Sequence, residues 1–203
     1  MLNRLARAGI TKLFTPVAKL FVRLGISPDA VTLVGTIGVM IGALAFYPRG
    51  ELFWGTVVIT AFVFSDAIDG IMARLLDRPS KWGAFLDSTL DRFADAAIFA
   101  GLVLWGYGVG EEPLIGHFAL AILILGSIVP YARARAEGLG MNAAVGIAER
   151  ADRLVVALVL TGFTGLGLPT IVLTITLGLL TLAAFITVLQ RIIVVRKQAL
   201  EQV

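Results

Sequence analysis

No cysteine occurs among the 203 residues, so disulfides and thiolate metal ligands are excluded. The single histidine, His117, sits within an apolar run, and neither a histidine-rich metal centre nor a Ser-His-Asp triad is expected. Charge is scarce as well. Only 15% of the residues are Asp, Glu, Lys or Arg, whereas 58% are hydrophobic and the mean hydropathy is +0.93. A soluble domain of this length needs more polar side chain than that to cover its surface. Several apolar runs approach the ~20 residues that cross ~30 Å of hydrocarbon as helix. The chain therefore reads as an integral membrane protein. Arg4, Arg7, Lys12, Lys19 and Arg23 interrupt the first apolar residues, which argues against a cleavable leader.

What is present is organised as helices. Leu2, Leu5, Leu13, Val17, Leu20, Phe21 and Leu24 recur at helical spacing with the basic residues largely between them. That pattern suits an amphipathic helix over residues 1–25, lying in the membrane interface and divided at Thr15-Pro16. "GISPDAVT" then supplies a helix start, with Ser27 as N-cap, Pro28 at the first position and Asp29 near the positive end of the dipole. Six spans are expected within residues 26–203: Asp29 to Tyr47, Leu52 to Leu76, Trp82 to Tyr107, Pro113 to Arg135, Ala151 to Leu166 and Pro169 to Arg191. No internal repeat or second domain is evident. The expectation is one all-α membrane domain over residues 1–203.

Basic residues orient it. With six spans, the termini and the second and fourth loops share one side, which carries Arg4, Arg7, Lys12, Lys19, Arg23, Arg78, Lys81, Arg133, Arg135, Arg150, Arg153, Arg196 and Lys197. The other side has Arg49 beside Glu51, Glu111 and Glu112. The positive-inside rule puts the first side in the cytoplasm of a cell with this as its cytoplasmic membrane.

Against this background "DAIDGIMARLLDRPSKWGAFLDSTLD" is out of place, because it sets Asp66, Asp69, Asp87 and Asp91 on two would-be membrane helices. Asp66 and Asp69 lie roughly 21 and 26 Å along the axis from Leu52, and Asp87 and Asp91 roughly 8 and 14 Å from Trp82. In antiparallel neighbours all four fall at similar depth, just below the cytoplasmic surface. The i,i+3 and i,i+4 spacings place each pair on one helix face, with Gly70, Ala73 and Gly83 leaving room beside them. An unpaired aspartate mid-membrane costs about 2.5–3.5 kcal/mol on insertion scales. Four facing one another also repel. Two divalent cations, Mg²⁺ or Mn²⁺, would balance them and prefer oxygen ligands, and such a pair is a known device for phosphoryl transfer. The plainer reading pairs the aspartates with Arg74, Arg78 and Arg92. A divalent-cation transporter is the alternative of a different class, although Arg74 is unwelcome near a cation path.

With its spacings the stretch is Asp66-x-x-Asp69-Gly70-x-x-Ala73-Arg74, eight residues, Gly83-x-x-x-Asp87-x-x-x-Asp91. This resembles the signature of the CDP-alcohol phosphotransferases, with every fixed position filled. The resemblance implies six membrane helices with an interfacial lead-in, and transfer of the substituted phosphate of a CDP-linked lipid to an acceptor hydroxyl with release of CMP. It implies that Asp66, Asp69, Asp87 and Asp91 bind two metals, that Asp91 also takes the proton of the attacking hydroxyl, and that Gly70 and Ala73 make room for the nucleotide. Arg74 would meet phosphate charge and Ser80 would hydrogen-bond the nucleotide or its phosphates. "DAVT", Asp29, Ala30, Val31 and Thr32, looks like the family's other nucleotide-contact segment, although a capped helix start explains Asp29 equally well. Asp95 continues the series outside the motif, as a supporting acid or a partner of Arg92.

The acceptor is a separate question. Arg133, Arg135, Glu137, Glu149, Arg150 and Arg153 flank a glycine-containing loop, and Arg191 ends the sixth span on the same side. Arginines suit a phosphate dianion. "ARAE" and "ERADRL" resemble segments of the bacterial phosphatidylinositol-phosphate synthases, which join inositol phosphate to CDP-diacylglycerol. That resemblance implies that Arg135, Arg153 and Arg191 hold the acceptor phosphate with Arg133 close by. Phosphatidylglycerol-phosphate synthase, using glycerol 3-phosphate, is the nearest alternative. The family tends to form homodimers, and Gly38 with Gly42 permits close helix contact. Membrane lipids are expected partners and nucleic acid is not.

Overall fold

A computed structural model describes the backbone of residues 2–76, 80–147 and 149–201, and the side chains within those ranges except for residues 2–10, 12 and 66. Among the described residues there are eight α-helices and no strand. They are α1 (Leu2–Arg23), α2 (Pro28–Ile41), α3 (Leu52–Val63), α4 (Ser65–Leu75), α5 (Lys81–Tyr107), α6 (Pro113–Glu137), α7 (Arg150–Gly165) and α8 (Thr170–Glu201).

Local chemistry accounts for the boundaries. Ser27 caps α2 by accepting from the Ala30 N–H at 3.2 Å, with Pro28 in the first turn as expected. α2 then loosens into a π turn, Gly42–Phe46, and tightens into a 3-10 turn, Tyr47–Arg49, that ends on Gly50 at φ +84°. Ser80 caps α5 through the Gly83 N–H at 2.8 Å.

Three expectations change. α1 does not divide at Thr15-Pro16 but runs through Pro16, with the Thr15 hydroxyl donating to the Thr11 carbonyl at 2.5 Å just before it. The span expected over Leu52 to Leu76 breaks at Phe64, whose carbonyl accepts from both Ala67 and Ile68. α8 continues past Arg191 to Glu201, and its extension is tied to the α6–α7 loop by Gln198, which bonds both the N–H and the carbonyl of Asn142.

Among the described residues four segments are long and apolar enough to cross a bilayer: Pro28–Arg49, Leu52–Leu75, Pro113–Glu137 and Thr170–Glu201. α5 is long enough, but Asp87, Asp91, Arg92 and Asp95 occupy its first half, and α7 is only 16 residues. The outward surface is that of a membrane protein. On α8, Ile171, Ile175, Leu179, Leu182, Phe185 and Leu189 form one exposed stripe while Leu173, Leu177, Ala184 and Val188 turn inward.

α5 and α6 form the centre, with α8 against α6, α2 against α5, α7 against α3, and α1 against α4. Tyr47, Ile59, Ile98, Leu102, Ile115, Ile122, Leu173 and Leu177 are fully buried in one core, with Ala43, Ala119 and Ala157 between them. Bulky residues alternate with small ones because lipid supplies little hydrophobic drive and close contact must hold the helices. A second cluster, Ala18, Val31, Ile71 and Met72, seats α1 against α2 and α4 beside the cavity described next.

Candidate active site

The aspartate motif folds onto one cavity. A space of about 800 Å³ lies between the start of α2, the second half of α4 and the first half of α5, closed on one side by Arg150 of α7. α2 contributes Asp29 and Thr32, α4 contributes Asp69, Gly70 and Ala73, and α5 contributes Gly83, Ala84, Asp87 and Asp91. The four-residue spacing of Gly83, Asp87 and Asp91 brings them to one face. Ser80, at the head of α5, completes the rim.

Hydrogen bonds fix this wall. Thr32 Oγ1 is 2.5 Å from Asp69 Oδ2 and 3.1 Å from the Pro28 carbonyl, and its proton goes to the nearer, charged acceptor. Asp69 is 9% exposed, so its carboxylate is both sheltered and oriented. The Trp82 indole donates to Asp29 Oδ2 at 3.1 Å, joining the heads of α2 and α5. A Cβ on Gly70 would meet nothing within 4 Å, so the floor beside Asp69 is open space.

On the far side Arg150 reaches across. Its Nη1 is 2.9 Å from Asp91 Oδ1, its Nη2 is 2.9 Å from Asp95 Oδ1, and its Nε is 3.0 Å from both Asp95 oxygens. Arg92 Nη2 lies 3.7 Å from both Asp91 Oδ2 and Asp95 Oδ2. Behind this cluster a smaller cavity of about 40 Å³ is lined by Asp95, Gly126, Ser127, Arg150 and Arg153 among others. Arg153 is 2% exposed, and its Nη1 has no hydrogen-bond partner. A buried, unpartnered guanidinium nitrogen is costly, and an anion would satisfy it.

Not every expected residue meets here. Asp29, Thr32, Gly70, Ala73, Ser80, Asp69, Asp87 and Asp91 line the main cavity. Ala30 is exposed outside it, Val31 is buried against Ile71 and Met72, and Arg74 is exposed on α4 away from the lining. The side chain of Asp66 lies outside the described residues, although its backbone stands one turn before Asp69 on α4. Of the four expected acceptor arginines, Arg153 lines the smaller cavity. Arg191 is buried but donates to the Val145 carbonyl at 3.0 Å and to the Val129 carbonyl, binding α8 to both the α6–α7 loop and α6. Arg133 pairs with Glu137 on its own helix at 2.8 Å, and Arg135 is exposed. Sequence reasoning left out Arg150 as a site residue. Its only signal is the "ERADRL" segment, which points equally to Arg153. Asp95 does pair with Arg92, and more closely with Arg150.

Among the described residues no three His, Cys, Asp or Glu side chains close on a single point able to hold a metal ion. The chemistry of the donors still fits a hard cation: Asp69, Asp87 and Asp91 present carboxylate oxygens to one cavity that has room between them.

A helical membrane-type bundle whose aspartates meet a capped helix head in one cavity defines a class. The profile of the CDP-alcohol phosphatidyltransferase family matches residues 25–145, and the chain belongs to that family and is a transferase. The transporter alternative is thereby set aside. The chain is 52% identical to phosphatidylinositol phosphate synthase of Streptomyces avermitilis, over 99% of this chain and 85% of the relative. It is 48% identical to that of Cutibacterium acnes, over 94% and 96% of the two chains. Among solved structures it resembles phosphatidylinositol phosphate synthase of Mycobacterium tuberculosis with CDP-DAG bound, with a TM-score of 0.85, 36% identity and coverage of 91% and 94%. A structure of the same enzyme in complex with manganese and citrate gives a TM-score of 0.84 at 36% identity, covering 90% and 88%.

Proposed function

We propose that this protein transfers the phosphatidyl group of CDP-diacylglycerol to a hydroxyl of inositol phosphate, yielding phosphatidylinositol phosphate and CMP. The observation that carries the reading is adjacency. The aspartate-lined cavity of the family motif abuts a pocket where buried Arg153 has an Nη1 without a partner. The relatives that share nearly the whole chain support the same acceptor.

Asp66, Asp69, Asp87 and Asp91 would hold two divalent cations, Mg²⁺ or Mn²⁺, and the manganese complex of the mycobacterial relative supports the cation. Such ions neutralise the diphosphate and stabilise departing CMP. Asp29, Thr32, Gly70, Ala73 and Ser80 would receive the nucleotide half of the donor. Thr32 orients Asp69 by its hydrogen bond, so one carboxylate oxygen is committed and the other is aimed. Arg153 would grip the acceptor phosphate, with Arg135 and Arg191 nearby. Asp91 would accept the proton of the attacking hydroxyl as its oxygen bonds to the lipid-bearing phosphorus and the bond to CMP breaks.

The chain would span the cytoplasmic membrane six times, α3 and α4 counting as one span. α1 would lie in the interface, and the termini and the active site would face the cytoplasm as one membrane domain that pairs into a homodimer. The test is CMP release by purified protein from CDP-diacylglycerol in the presence of divalent cation, with inositol phosphate, glycerol 3-phosphate or no acceptor. Release with inositol phosphate alone is expected. Release only with glycerol 3-phosphate would reassign the protein to phosphatidylglycerol-phosphate synthesis.

A further inference from the structure

Arg150 stands where the two cavities meet and lines both of them. Its guanidinium divides its bonds unequally. Nε and Nη2 form a fork on Asp95, at 2.9–3.0 Å, and Nη1 alone reaches Asp91 Oδ1 at 2.9 Å. Asp95 is outside the motif, does not line the main cavity and has 13% of its side chain exposed, so it is an anchor that holds the guanidinium plane. Asp91 is the acid the Proposed function needs for metal and proton. An ion coordinated by Asp91 Oδ1 at about 2.1 Å would lie within about 5 Å of Nη1, because the two vectors share that oxygen. Arg150 and Asp91 are partly exposed, with 29% and 19% of their side chains open. A divalent and a single positive charge at that separation still repel by more than about 1 kcal/mol, about tenfold in binding, even at the dielectric constant of water.

We propose that Arg150 is a built-in counter-cation that occupies Asp91 when no metal is bound and must yield that oxygen as a divalent ion enters. Asp95 keeps the displaced guanidinium in place at the wall between the cavities. Arg150 is thus a positioning residue that sets how tightly the acidic cavity takes metal. It solves the repulsion among aspartates in a metal-free protein, at the expense of metal affinity. The inference rests on the reading of Asp69, Asp87 and Asp91 as metal ligands.

The sign of the effect separates this role from a merely structural tie between α5 and α7. Full-length protein in detergent would be titrated with Mn²⁺, free ion being read by its electron paramagnetic resonance signal, so that no turnover is needed. Arg150→Gln is expected to tighten Mn²⁺ binding about tenfold, the change that one positive charge about 5 Å from a divalent ion makes even in a largely water-like dielectric. Asp95→Asn, which leaves Arg150 to settle on Asp91, is expected to weaken it. The double variant should bind more tightly than Asp95→Asn alone. Arg196→Gln, an exposed charge at the far end of α8, corrects for net charge and should change nothing. Unchanged or weaker binding in monodisperse Arg150→Gln overturns the inference. Should that variant not fold, unchanged or tighter binding in Asp95→Asn overturns it. Asp69→Asn keeps the two readings distinguishable: its loss of Mn²⁺ binding upholds the metal site even if Arg150→Gln fails to tighten it. No Mn²⁺ binding by the parent protein, or none lost in Asp69→Asn, removes both.

Discussion

Gly35 is a sharp mechanical test of how the site is built. It lies three residues after Thr32 on the same face of α2, against the first residue of α4. A Cβ at Gly35 would fall 1.7 Å from Ser65 Oγ, 2.7 Å from Ser65 Cβ and 3.4 Å from the Phe62 carbonyl oxygen. The hydroxyl can rotate away, but Ser65 Cβ is fixed to the α4 backbone, so Gly35→Ala must push α2 from α4. Overpacking of this sort costs about 1–3 kcal/mol. The same displacement strains the 2.5 Å bond between Thr32 and Asp69 one turn away, a hydrogen bond to a charged group worth about 1.5–3 kcal/mol. Alanine returns about 1 kcal/mol of helix propensity. A net loss of about 1.5–5 kcal/mol is expected, together with at least about a tenfold fall in CMP release because Asp69 is no longer held. Thermal unfolding in detergent and CMP release measure the two effects. Ser65 supplies the control, because its buried hydroxyl has no hydrogen-bond partner to lose. Ser65→Ala should rescue Gly35→Ala in part by removing the Oγ clash, and Ser65→Gly more fully by removing both. A Gly35→Ala protein with parental stability and activity would refute the reasoning, as would a double variant with Ser65→Gly no better than the single one.

Gly70→Ala should fold at least as well as the parent, since its methyl meets nothing within 4 Å, yet raise KM for CDP-diacylglycerol several-fold by taking space beside Asp69. Steady-state kinetics with a melting curve would check it, and an unchanged KM would move the nucleotide elsewhere. Arg153→Ala should raise KM for the phosphorylated acceptor about tenfold or more, the worth of a hydrogen bond to a charged group, while that for CDP-diacylglycerol changes little. Equal loss for both substrates would count against an acceptor role. Asp91→Asn should cut kcat by about a hundredfold or more while the protein melts normally, and retained turnover would end its assignment as base.

The helices were legible because their signals are local. Ser27-Pro28 caps where its residue types say it should, and the four candidate spans among the described residues fall on expected apolar runs, whereas the cap that Ser80 makes on α5 was not expected. The break at Phe64 was not legible. Nothing in "AFVFSDA" resembles a stop, and the turn is held by the packing of Gly35 and Gly38 of α2 against Ser65 and Phe62. Pro16 misled in the other direction, since a proline's effect on a helix depends on what the surrounding residues supply.

The candidate site divides in the same way. A carboxylate motif at three- and four-residue intervals carries its own geometry, so Asp69, Asp87 and Asp91 were placed on facing helices from spacing alone. Arginines lack that guarantee, because a long side chain anchored in another element goes where its partners are. Arg150 clasps Asp91 and Asp95 across more than fifty positions, Arg153 is buried with a free nitrogen, and Arg191 spends its guanidinium on two carbonyls of distant segments. By itself, then, the order of residues determined a helical membrane-type chain and its acidic wall, both consequences of hydropathy and short-range periodicity, while the family was legible only as a resemblance carried by the identities at the motif's fixed positions. Tertiary structure alone decided which cations face that wall, because a charge finds its counter-charge through space, and adjacency in space between α5 and α7 is written in no local pattern.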